Sequence, residues 1–171
     1  NEVCEKVISR HLDIHDDIRV DHEEDVKRSW EILKLKEGKK SVLGGVPKSL
    51  PSTVKAMRLQ EKAKQVGFEW DSREQVWDKV EEEIRELKEA IANGKQDKVE
   101  DEFGDVVFSL INYARFLQVD AENALEKTNK KFIHRFTQME QEALENGKDL
   151  ASLTLEEMDF IWNTIKQRQK D

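Results

Sequence analysis

The sequence predicts an all-α fold, an antiparallel helix bundle, on three observations. Apolar residues recur at helical spacing in segment after segment, 39% of the 171 residues are charged, and only 7 Gly and 2 Pro interrupt the chain. Such a composition makes helices with narrow apolar stripes and charged outer faces. Val3, Val7 and Ile8 mark the end of a helix over residues 1–11, and Val26, Trp30 and Leu33 mark a second over 22–36. The stretch from Ser41 to Pro51 then holds both prolines and two of the glycines, the signature of a linker or ordered crossing segment. Ser52 is placed as the cap of a helix over about 53–66 that ends at Gly67. Phe68-Glu-Trp70-Asp71-Ser72 leads into a long helix over about 73–92, striped by Val76, Val80, Ile84, Leu87 and Ile91 and closed by Asn93-Gly94. The next helix, about 96–117, carries Val99, Phe103, Val106, Leu110, Ala114 and Leu117 on its stripe. Asp120 caps a helix over about 121–146 that stops at Gly147, and Thr154 with Glu157 forms a capping box for the last helix, which runs to about Arg168. Short loops between these helices predict antiparallel neighbours.

The organisation that follows is three-part: residues 1–40 as the last helices of an incomplete upstream module, 41–52 as a linker, and 53–171 as the main module. A partial internal repeat supports this division. Lys6-Val-Ile-Ser-Arg10 resembles Lys131-Phe-Ile-His-Arg135, and Trp30-Glu-Ile-Leu-Lys34 resembles Trp162-Asn-Thr-Ile-Lys166, in the same order. The chain begins at Asn1 without an initiator Met, which reads as a piece of a longer protein.

A net charge of −8 argues against nucleic-acid binding, because duplex affinity comes mainly from Lys and Arg at phosphates. No run approaches the roughly 18 apolar residues of a membrane span, and the single cysteine, Cys4, makes a reducing cytoplasm the expected compartment. His11, His15, His22 and His134 lack zinc-ligand spacing, and no glycine-rich phosphate loop or nucleophile elbow is present.

Chemistry concentrates in two acidic clusters, Glu82, Glu83 and Glu86 on one predicted helix and Glu102 and Asp105 on the next. Acidic i, i+3 pairs in so charged a chain are ordinarily solvated faces, so helical phase has to discriminate. At about 3.6 residues per turn, Glu83 falls beside the stripe of Val76, Val80 and Leu87 with Glu86 one step round, and Glu102 and Asp105 flank the stripe of the following helix. Those four are the candidate metal ligands, Glu82 the candidate catalytic helper that positions water, together with Glu83. Oxygen-only ligation suits Mg²⁺, with Mn²⁺ as a substitute, and such a site leaves positions for water and phosphates. Gly104, between Glu102 and Asp105, is unfavourable inside a helix and points to close approach of a neighbour. Ser109 and Asn112 continue the ridge of Asp105, and Asn112 is a candidate substrate contact.

A basic and aromatic set stands downstream. Lys131 and Arg135 share one helical face, as do Trp162 and Lys166, and this combination can grip phosphate while an indole covers a base. Each residue taken singly reads more readily as surface charge or core packing; the recurrence of both pairs near the N-terminus points toward function. Phe68 and Trp70 are candidates for one wall of a nucleotide pocket, Trp77 for the core, and Lys79 lies one turn from Glu83, within reach of a phosphate or a carboxylate.

Taken in order, Glu82-Glu83-x-x-Glu86, Glu102-x-x-Asp105, Val66-Gly67-Phe68-Glu69-Trp70, Ser49-Leu50-Pro51, Lys131-Phe132-x-x-Arg135-Phe136 and Trp162-x-x-x-Lys166 resemble the MazG family of nucleoside triphosphate pyrophosphohydrolases, within the all-α NTP pyrophosphatase group. The resemblance implies a tandem, homodimeric protein that uses Mg²⁺ to hydrolyse an NTP to the NMP and pyrophosphate. It also implies Glu83, Glu86, Glu102 and Asp105 as metal ligands and Lys131, Arg135, Trp162 and Lys166 as nucleotide contacts. The chain departs from the family where Arg10-His11-Leu12-Asp13 replaces an Arg-His-Pro-His run. Two other readings share these residues: a catalytically weak nucleotide-binding sensor, and a helical dimerisation domain with solvated acidic faces.

Overall fold

The computed structural model describes residues 41–168; the helices expected over 1–11 and 22–36, Cys4 and the N-terminal members of the repeat lie outside them. Among the described residues the chain is all-α, with no strand. The helices are α1 (Ser52–Gln65), α2 (Arg73–Asn93), α3 (Gln96–Phe116), α4 (Ala121–Glu145) and α5 (Leu155–Arg168), with 3-10 turns at Val42–Gly45 and Leu150–Ser152. The chain divides between Ala121 and Glu122 into two compact units.

In the first unit α2 and α3 make the most extensive helix pairing and α1 packs on α3. The Ser41–Pro51 stretch is not a bare linker: its 3-10 turn packs against α1, and the Lys55 ammonium donates to the Lys48 carbonyl at 2.8 Å. Ser52 turns out to be the first residue of α1, with Pro51 at the N-cap position and no side-chain cap. Gly67 ends α1 at φ 88°, with its N–H on the Lys64 carbonyl (2.9 Å) and the Phe68 N–H on that of Ala63 (3.0 Å). This paired closure uses the left-handed conformation that glycine adopts without penalty. It aims Phe68, Glu69 and Trp70 along a defined path into α2, whose first turn is capped by the Ser72 hydroxyl accepting from the Gln75 N–H. Gly94, at φ 67°, closes α2 as expected.

The buried faces differ from the expected stripes in an informative way. On α2, Val76, Val80, Glu83 and Ala90 are buried, while Ile91 is 58% exposed. Steps of four and three residues from Val76 lead through Val80, Glu83 and Leu87 to Ala90, so Ile91 lies past the edge. On α3 the inward positions are Val106, Ser109 and Ile111, and Phe103, Leu110 and Leu117 are exposed. The face toward α1 and α2 is therefore partly polar, and a set of large apolar residues is left outside. Trp77 is half-exposed rather than core: its ring lies 5.0 Å from that of Tyr113, and its indole N–H donates to Glu81. Gly104 is exposed, and a Cβ there would meet nothing within 4 Å, so no neighbour among the described residues accounts for it.

In the second unit Met139, Ala143, Leu153 and Ile165 are buried. The expected capping box is formed: the Thr154 N–H donates to Glu157 (2.9 Å) and the Glu157 N–H to the Thr154 hydroxyl (3.2 Å). Lys148 pairs with the same Glu157 at 2.8 Å, and this ion pair leads the effects that hold the Glu157 carboxyl below its ordinary value. No helix among the described residues is long and apolar enough to cross a membrane.

Candidate functional site

Glu83 is the one acidic residue on the buried face of α2, 7% exposed, and Glu86 follows one turn later. With Glu102 of α3 they form a trio in which one carboxylate oxygen from each lies within 4.8 Å of the others. Oxygens on a single Mg²⁺ at about 2.1 Å lie at most about 4.2 Å apart. Small side-chain rotations therefore convert this trio into a divalent-cation ligand set. The site already attracts a cation of its own: the Lys79 ammonium lies 2.7 Å from Glu83 and 3.2 Å from Glu82. Hydrogen bonding to Glu83, opposed by burial and aided by Glu82, raises the Lys79 pKa. This pairing answers one of the two options its spacing left open. Glu82 itself is half-exposed and not one of the trio, but it is held by the same ammonium. Asp105 is exposed and stands outside the trio, yet lines the same chamber as Glu83.

That chamber, of about 640 Å³, lies wholly in the first unit. Leu43, Leu59, Val76 and Phe108 give it apolar walls, and Phe68 and Trp70 line it from the connection between α1 and α2. Lys79, Glu83, Asp105, Ser109 and Asn112 bring polar groups to it. The candidates Trp70 and Asn112 thus share the chamber with Glu83 and Asp105, whereas Glu82, Glu86 and Glu102 are not among its lining residues.

Two residues of this chamber, Gln60 and Arg115, have no sequence motif to announce them, while Glu69 stands in the motif over 66–70 without a role that the motif assigns. The Arg115 guanidinium forks onto Glu69 with contacts of 2.5 and 2.7 Å, the two side chains being 14% and 20% exposed. Arg115 also donates to the Asn112 side-chain oxygen at 2.7 Å. A bidentate Arg–carboxylate pair fixes both partners in orientation, so the Glu69 loop is tied to α3. The pair joins residues 46 apart in sequence, a separation that no local pattern encodes.

In the second unit, the Arg135 guanidinium lies 6.0 Å from the centre of the Trp162 ring. Phe132 packs 5.3 Å from that ring and 5.8 Å from Phe136. α4 and α5 thus bring the expected Arg and Trp together on an aromatic base. Lys131 and Lys166 are exposed.

Comparison with known proteins agrees with these features. Residues 71–139, which hold the acidic residues, Arg115, Lys131 and Arg135, match the family model described as the MazG nucleotide pyrophosphohydrolase domain. A Thermotoga maritima protein named nucleoside triphosphate pyrophosphohydrolase/pyrophosphatase MazG is 43% identical over 142 residues, 81% of this chain and 54% of that protein. An Escherichia coli K12 nucleoside triphosphate pyrophosphohydrolase is 33% identical over 183 aligned positions, 100% of this chain and 69% of its own length. The chain thus spans only about half to two thirds of these two relatives. The alignment with the second of them, together with the carboxylate trio carried by a helical pair, shows that this chain belongs to the MazG family.

Proposed function

We propose that the chain catalyses Mg²⁺-dependent hydrolysis of nucleoside triphosphates to the monophosphate and pyrophosphate, with water attacking the α-phosphorus. The observation that carries the reading is the carboxylate trio set beside a chamber of about 640 Å³ with apolar and aromatic walls. That volume lies within the roughly 300–1,000 Å³ range of small-molecule sites. One side of the arrangement suits a cation and phosphates, the other a nucleobase.

Glu83, Glu86 and Glu102, with Asp105 as the fourth ligand, are the residues proposed to hold the cation. Bound there, a divalent cation supplies neutralisation of phosphate charge and acidifies water. The residues of the chain do the rest. Glu82 accepts a proton from the attacking water as its oxygen forms the new bond to the α-phosphorus. The bond to the bridging oxygen breaks, and pyrophosphate carries away the electron pair. Lys79, which pairs with Glu82 and Glu83, would be within reach of phosphate oxygens beside the same carboxylates. Trp70 and Asn112 contact the nucleoside. Lys131, Arg135, Trp162 and Lys166 are proposed, on the family resemblance, as further nucleotide contacts.

The architecture proposed with this reaction is an antiparallel bundle that works as a cytoplasmic homodimer, in which residues 53–171 form the catalytic module and residues 1–40 the tail of an upstream one. The exposed Phe103, Val107 and Leu110 of α3 offer an apolar surface for self-association.

A panel of canonical, deoxy and damaged triphosphates with Mg²⁺, scored by product identity, tests the reaction. Monophosphate and pyrophosphate are expected for at least one nucleotide. Replacing Glu83 or Asp105 by Ala is expected to lower turnover by about 100-fold, the upper end of what removing even a supporting partner of a metal ligand costs; turnover at the wild-type rate in either variant would overturn the site assignment. Tight binding with no turnover would instead select the sensor reading.

A further inference from the structure

We infer that Gln60 is a specificity-determining residue of the chamber, reading an N–H group on the edge of the bound base. The inference rests on the reading of the chamber as a nucleotide site. Gln60 projects from α1, lines the chamber and is 7% exposed. Its side-chain N–H donates to the Phe108 main-chain carbonyl at 2.9 Å. Because only the nitrogen of an amide can donate, that bond fixes which end of the side chain is which. The oxygen at the other end is buried and has no hydrogen-bond partner among the described residues. Nearly all buried polar atoms in folded proteins are paired, so an orphaned acceptor calls for an explanation. A role as a tie between α1 and α3 explains the nitrogen and leaves the oxygen without one. A donor arriving in the chamber explains both.

Asn112 supplies the complement. Its side-chain oxygen accepts from Arg115 at 2.7 and 3.3 Å, so its nitrogen is left as the donor end. The chamber is thus lined by an amide whose oxygen is without a partner, by an amide whose oxygen is taken, and by the aromatic residues Phe68, Trp70 and Phe108. Nucleobases present this pattern in complement: a ring or exocyclic N–H beside a ring nitrogen or carbonyl, on a flat face suited to stacking. A site built to bond such an N–H rejects the analogue that lacks it more strongly than an apolar pocket can.

The test uses α,β-methylene triphosphates, which bind without being hydrolysed, in two matched pairs: adenosine against purine riboside, and uridine against 3-methyluridine. Kd values are measured by calorimetry with Mg²⁺ for wild type and for Gln60→Met, a near volume-conserving change whose folding is checked by melting temperature. In the pair that binds tighter, wild type is expected to favour the member bearing the N–H about tenfold, the equivalent of one buried hydrogen bond. Gln60→Met should bring the two members within about twofold by weakening only that one. Equal binding of the two members by wild type would overturn the proposal without using any variant. A ratio that survives Gln60→Met, or a uniform loss across both members, would overturn it as well and leave Gln60 a structural tie only. Absence of turnover with the parent nucleotides, binding being intact, would instead defeat the reaction proposed above and leave base reading standing or falling on its own ratio.

Discussion

Glu83 is a carboxylate placed where an apolar side chain would ordinarily be, between Val80 and Leu87 on the buried face of α2. A buried charge is tolerated only when paired, and Lys79 supplies the partner at 2.7 Å. Lys79→Met should therefore lower the stability of the metal-free protein by roughly 1–3 kcal/mol, the range for stranding a buried polar group. Millimolar Mg²⁺ should recover more of the melting temperature in this variant than in wild type, because it takes over the neutralising role. An unchanged melting temperature without metal would show that Glu83 does not depend on Lys79. The pH behaviour follows from the direction of the shift. An amine with a raised pKa contributes its stabilisation fully below its ordinary value and loses it only as pH rises through the raised one. Stability owed to this pair is thus flat between about pH 6 and 9, and a thermal-melt series across that range checks it. The placement of Glu83 was legible in the sequence because helical phase alone puts it beside the stripe. Gln60 and Arg115 were not, since each finds its partner across 46 or 48 residues and only the assembled chamber gives them a role.

At the scale of elements, the connection between α1 and α2 is held from two sides. The Gly67 closure sets its exit from α1, and the Glu69–Arg115 fork clamps it to α3. Arg115→Met should cost roughly 2 kcal/mol, below the 3–5 typical of a fully buried pair because both side chains keep some exposure. Freed from the clamp, Phe68 and Trp70 should bind nucleotide less well, so KM rises by more than kcat falls; a kcat loss at constant KM would place Arg115 in the chemistry instead. In the second unit, Thr154→Ala removes half of the capping box and should lower stability by about 1 kcal/mol. Glu157, with its depressed pKa, contributes stability above the ordinary carboxylate range that is lost as pH falls through it. The deficit of a Glu157→Gln variant should accordingly shrink in acid, which urea melts at neutral and acid pH would detect. Helix positions and caps were legible because Gly67, Gly94, Thr154 and Glu157 are local signals. The inward face of α3 was not. Hydropathy nominates Phe103 and Leu110 together with Val106; Val106 is buried as expected, but Phe103 and Leu110 are exposed and Ser109 is buried.

At the scale of the whole molecule, the outward apolar face of α3 is a surface available for assembly. The acidic chamber lies in the first unit, and the Arg135–Trp162 pair lies in the second. Self-association through α3 predicts a dimer in analytical ultracentrifugation, with Phe103→Asp shifting it toward monomer; a wild-type monomer at tens of micromolar would contradict the dimer proposal. Family and all-α class were legible because ordered short motifs survive without any tertiary information, while assembly depends on surfaces that no motif marks. The reaction itself is tested most directly by hydrolysis in ¹⁸O-labelled water with Mg²⁺, followed by mass analysis of both products. Attack at the α-phosphorus places the label in the nucleoside monophosphate, leaves pyrophosphate unlabelled, and is abolished by Glu83→Ala. Label in pyrophosphate, release of nucleoside diphosphate, or undiminished turnover in Glu83→Ala would contradict the account.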